Sequence, residues 1–113
     1  MEKVYLTIKR EELLKIIKGE KIEEYRALSI FNCKRLLIKE EVIENGKKKT
    51  YGVRNPEVKQ IYFRSGMAKD ALMAVVEVLD IRTETFMNFI PESFSQGDSA
   101  ITIYLGKVLE SNL

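Results

Sequence analysis

The stretch Gly19-Glu20-Lys21-Ile22-Glu23-Glu24-Tyr25-Arg26 decides how this chain is read. It sets a glycine and a run of charged residues between two apolar segments. If Ile22 to Arg26 is extended, Glu24 and Arg26 project from one face while Glu23 and Tyr25 project from the other. Lys21, at the turn, then leans over the Glu24/Arg26 face. A carboxylate flanked by two cations stays ionised. It accepts hydrogen bonds from an amine or amide N–H, and the cations bind phosphate or polarise a carbonyl. On charge alone, the same run also reads as an exposed strand carrying a solvated salt-bridge ladder.

Working outward from this run, the preceding residues give a strand and a helix. Val4, Leu6 and Ile8 alternate with Tyr5 and Thr7, the period of a half-buried strand. From Glu11 to Lys18, Leu13, Leu14, Ile16 and Ile17 share one helical face, and Glu11 and Lys15 form an i,i+4 pair. Gly19 stands where the helix ends. On the other side, Ser29 caps a short helix carrying Ile30, Phe31, Leu36 and Leu37. Ile38 to Ile43 leads into Asn45-Gly46 and returns through Thr50, Tyr51 and Val53, the pattern of a tight hairpin. Val58, Ile61, Tyr62 and Phe63 suggest another strand. From Ala71 to Ile81 both alternating sets are largely apolar, as expected for a central strand covered on both faces. A further short helix is expected around Glu84 to Phe89, stopped near Pro91. Ala100 to Val108 supplies the last strand. The expected fold is α+β, a small mixed β-barrel with two or three short helices.

Composition bounds the function. The 113 residues fit one domain, 1–113, with 45% hydrophobic and 32% charged residues, ordinary for a globular chain with its own core. There is no histidine, and Cys33 is the one cysteine. Cys/His zinc spacing, an internal disulfide and any His-based catalytic pair are therefore excluded. No metal and no cofactor is expected. The opening residues lack the pattern of a signal peptide, and no apolar run reaches the ~18 residues of a membrane span. With a lone cysteine, this points to the cytoplasm and away from membranes. The net charge is +2, but Lys34, Arg35, Lys39, Lys47, Lys48, Lys49 and Arg54 concentrate positive charge that attracts phosphate. The alternative for Lys47 to Lys49 is a solvated hairpin edge.

The run Gly19-x-Lys21-x-x-Glu24-x-Arg26 resembles the GxKxxExR signature of the ASCH family at all four fixed positions. The preceding strand and helix, the apolar strand with embedded Glu77, and Ile103-x-Leu105-Gly106-Lys107-Val108 are similar to that family's other elements. Phe63-Arg64-Ser65-Gly66 with Lys69-Asp70 resembles a loop of its phage and mobile-element branch. The resemblance implies a PUA-like fold and association with RNA or a nucleotide through a polar cleft beside the signature strand. Some small ASCH proteins hydrolyse N4-acetylcytidine with a lysine, a threonine and a later glutamate. Carried over, the lysine falls on Lys21 and the glutamate on Glu77, while the threonine's position holds Glu24.

Three functions follow as expectations. The first is a binding module for RNA or a nucleotide, with Lys21, Glu24, Arg26 and Arg64 as ligand-binding residues. The second is a small amidohydrolase acting on an acylated nucleoside, with Lys21, Glu24 and Glu77 as catalytic residues. The third is a non-catalytic protein-interaction module. Arg64 either holds phosphate beside Ser65 and Gly66 or belongs to a turn. Tyr25, Tyr51 and Tyr62 are candidate base-stacking surfaces or core residues. Cys33 reads as buried filler, and Asp98 as turn chemistry.

Overall fold

A computed structural model describes residues 4–113, apart from the side chain of Tyr51. In it, Val4–Thr7 forms β1, Arg10–Ile17 α1, Glu23–Ala27 β2, Ile30–Leu36 α2 and Leu37–Glu44 β3. Lys47–Arg54 forms β4, Gln60–Arg64 β5, Met73–Thr85 β6 and Ser99–Ser111 β7. Five strands make one mixed sheet in the order β1-β5-β6-β7-β2, and β3 and β4 make a separate hairpin. Among the described residues the fold is α+β, mostly strands with two short helices, as its patterning suggests. By its internal contacts it divides into two compact units. The first holds Met1–Glu24, Pro56–Asp80 and Ile103–Leu113; the second holds Tyr25–Asn55 and Ile81–Thr102.

In the first unit, alternation becomes burial. Val4 and Leu6 of β1 are buried while Tyr5 and Thr7 are exposed. β1 lies parallel to β5, Val4 opposite Ile61 and Leu6 opposite Phe63. β5 runs antiparallel to β6, Ile61 opposite Val76. Both faces of β6 are covered here: Ala74, Val75, Val76 and Val78 are all buried, which is why its sequence is apolar throughout. α1 turns Leu13 and Ile16 inward. It ends in a Schellman arrangement: Gly19 N–H reaches Ile16 O at 3.0 Å and Glu20 N–H reaches Lys15 O at 2.8 Å. Gly19 sits at φ +78°, the left-handed geometry this ending requires. The ion pair along α1 joins Lys15 to Glu12 at 3.4 Å instead of the expected Glu11. Glu12 is half-buried and Glu11 exposed, so the acid nearer the packed face is the one that is held.

In the second unit, Ser29 caps α2, its Oγ accepting from Asn32 N–H at 3.1 Å. The hairpin turns at Asn45 and Gly46, φ 50° and 76°, the double left-handed geometry of a type I′ turn. Diagonal ion pairs brace the hairpin, Lys48–Glu41 at 3.0 Å and Lys49–Glu44 at 3.3 Å. These lysines are exposed, and they act as the solvated edge proposed for them.

The helix expected at Glu84 to Phe89 is absent. β6 continues to Thr85, and residues 87–89 form bends. Thr85 Oγ1 and Ser99 Oγ lie 2.8 Å apart, and Phe86 N–H donates to Asp98 O at 2.9 Å. Backbone partners along β7 therefore keep the segment extended, assisted by the β-branched residues Ile81, Thr83 and Thr85.

Candidate functional site

The signature residues fall in both units, and each group has its own chemistry. In the first unit, Lys21 is the centre of a small charge cluster. Its Nζ donates to Glu12 Oε2 at 2.9 Å and to Glu24 Oε1 at 3.0 Å. The lysine side chain is 19% exposed and that of Glu24 9%. With Lys15 on Glu12, the charges alternate in sign along four residues. The Schellman ending of α1 makes this possible, because it turns the chain back so that residue 21 meets the helix's first turn. Burial pulls the Lys21 ammonium down, but the hydrogen bond it donates to Glu12 and the charge of Glu24 outweigh it and raise its pKa. Glu12 answers in the opposite sense: its hydrogen bond to Lys21, working against burial, holds the carboxyl below the ordinary range. Lys21 and Glu24 are thus brought together as expected.

Glu12 is the member that sequence reasoning missed. A signal existed: Glu12, Ile16 and Gly19 recur at helical spacing along one line of α1, so a residue just beyond Gly19 passes over that line.

The second unit holds Arg26 on β2 and Arg35 on the last turn of α2. Burial, and then the like charge of Arg26, lower the Arg35 pKa. α2 is tied to the end of β2 by Asn32 Nδ2, which donates to Ala27 O at 3.0 Å. The Arg35 guanidinium lies over the Phe31 ring, 4.7 Å from its centroid. Tyr25 packs edge-on against Phe86 at 5.6 Å, so its ring serves the interior of this unit.

The remaining candidates are placed as follows. Arg64 donates from Nε to Gly66 O at 2.6 Å, from Nη2 to Ala68 O at 2.7 Å and from Nη1 to Met73 Sδ at 3.3 Å. It pins the loop that follows β5, the turn alternative of the two foreseen for it. Glu77 extends over Gly106, where a Cβ would collide with its carboxylate, and accepts from Lys107 N–H at 3.4 Å. Its bond is made there, and the ammonium of Lys21 goes to Glu12 and Glu24 instead. Tyr62 stacks with Tyr5, centroids 5.1 Å apart, and its hydroxyl accepts from Gln60. The side chain of Tyr51 lies outside the described residues. Cys33 is half-buried with a free thiol, and Asp98 accepts from Ser95 N–H at 2.7 Å in a turn. Among the described residues, no helix is long and apolar enough to cross a membrane.

Comparison with protein-family models, with curated proteins and with solved structures finds no match for this chain.

Proposed function

We propose that this chain is a cytoplasmic RNA- or nucleotide-binding module of the ASCH kind, acting through its GxKxxExR segment. The observation that carries the proposal is the Arg35 guanidinium held over the exposed Phe31 ring, 4.7 Å from its centroid, in the same unit as Arg26. Burial, and then the like charge of Arg26, disfavour the charge on Arg35, and an anion favours it. Guanidiniums also suit phosphate, which they grip with two parallel N–H donors. Lys21 and Glu24 are satisfied in each other, so we assign the phosphate contact to Arg26 and give Lys21 and Glu24 the work of holding the segment that presents it. Arg64, with its donors on the loop carbonyls, is left outside this assignment.

The test is binding of short labelled RNAs at low and moderate salt. Affinity should fall as salt rises, as it does wherever phosphate contacts dominate. The Arg26→Ala single variant and the Lys21→Ala, Arg26→Ala double variant should bind more weakly, with folding verified by thermal unfolding. Unchanged binding in the double variant would overturn the proposal. Release of cytidine from N4-acetylcytidine, abolished in Lys21→Ala, would replace it with the amidohydrolase reading.

A further inference from the structure

α2 carries a feature that the signature does not include. Phe31 is 66% exposed and its neighbour Ile30 78%, both on the first turn of the helix. Exposed apolar side chains on so short a helix contribute little to its packing. Their position is nonetheless fixed from three directions. Ser29 Oγ holds Asn32 N–H, Asn32 Nδ2 holds Ala27 O, and Cys33 N–H returns to Ser29 O at 2.9 Å. The ring of Phe31 is therefore presented from a braced turn. Over it lies the planar guanidinium of Arg35, one helical turn along.

A guanidinium stacked on an aromatic ring offers two kinds of contact at once. Its flat outer face accepts another π-system, and its N–H edges point outward in the plane, where they suit an anion. A nucleotide has both complements, a flat base and a phosphate. A base inside a duplex has its faces covered by its neighbours, so only an unpaired base can use such a shelf.

We propose that Phe31 and Arg35 form a subsite for an unpaired nucleotide of RNA, the base stacking on the ring–guanidinium pair and the adjacent phosphate drawn to the charge of Arg35. This deepens the RNA-binding proposal and rests on it: it makes the ligand single-stranded and puts the stacking contact on α2.

The test uses the absence of tryptophan from the chain. A Phe31→Trp variant carries one indole, whose fluorescence a stacked base quenches. A short single-stranded RNA should quench it, and the same strand annealed to its complement should quench it much less. Phe31→Ala should weaken single-strand binding about tenfold, in line with the loss of one stacked base, and leave the unfolding temperature nearly unchanged because the ring is exposed. Arg35→Lys keeps the charge but not the plane, so it should lose affinity for the single strand while keeping its salt dependence. If labelled RNA binds the Phe31→Trp variant without quenching, or binds Phe31→Ala as tightly as the unaltered protein, the subsite is wrong while RNA binding stands. If the unaltered protein binds no RNA even at low salt, both proposals fall together.

Discussion

The two charged regions of this molecule resolve the same problem in opposite ways. Around Lys21, opposite charges alternate, and each half-buried group finds a partner within 3.4 Å. The pKa of Lys21 rises and that of Glu12 falls, both in the direction that favours charge. Around Arg35, burial and then the like charge of Arg26 push the pKa down. The first region joins opposite charges within itself. The second sets a half-buried guanidinium within reach of a like charge, and the proposed anion contact belongs there.

The largest expected effect comes from breaking the complete region. Lys21→Ala leaves Glu24 buried without its ammonium and should cost about 2–3 kcal/mol in urea unfolding. The cost should depend on pH. A carboxyl whose folded pKa lies below its ordinary 4.5 contributes stability above that value and loses it as pH falls through the folded pKa. An ammonium whose folded pKa lies above its ordinary 10.5 contributes stability below that value and loses it as pH rises through the folded pKa. The difference between the unaltered protein and Lys21→Ala should therefore be widest between about pH 5 and pH 10 and should shrink in acid. A difference that stays constant down to pH 2 would mean that the lysine matters through packing alone.

A smaller effect tests the support of the other region. Ser29→Ala removes the α2 cap and should cost about 1 kcal/mol, visible as a lower denaturation midpoint. It should also weaken RNA binding, because the cap braces the turn that presents Phe31. The smallest effect sharpens the contrast itself. Added salt screens repulsion between Arg26 and Arg35, so the unaltered protein should gain stability from low to high sodium chloride relative to Arg35→Gln, by at most about 0.5 kcal/mol. Parallel salt curves for the two proteins would show that the guanidiniums do not act on each other.

Much of the fold was legible because local rules and tertiary packing agree. Alternation in Val4 to Thr7, the two-sided apolar run of β6, the Ser29 cap and the Asn45-Gly46 turn each carry their own signal, and all are realised. The misread segment, Glu84 to Phe89, is where those signals weaken. Beyond Ile81 the strand turns polar, and only its backbone partners keep it extended. In the site, Lys21 and Glu24 are three residues apart, and their meeting could be foreseen. Glu12 is nine residues from Lys21, and its place depends on the angle at which the chain leaves α1. The apolar residues of α2 do not say which of them is buried: Leu36 is, while Phe31 faces solvent.

The pairing of β1 with β5 also bears on the order of folding. Val4 finds Ile61, a partner far along the sequence. The hairpin of β3 and β4 closes on residues that are near neighbours in the chain, so it can form early and locally. β1 must wait until β5 exists, because a long loop has to close before their contacts can form. During that interval it is an unpaired edge strand exposed to other chains. Its four-residue length and the charged residues that follow it, Lys9 and Arg10, are the features that keep such a strand from recruiting the wrong partner.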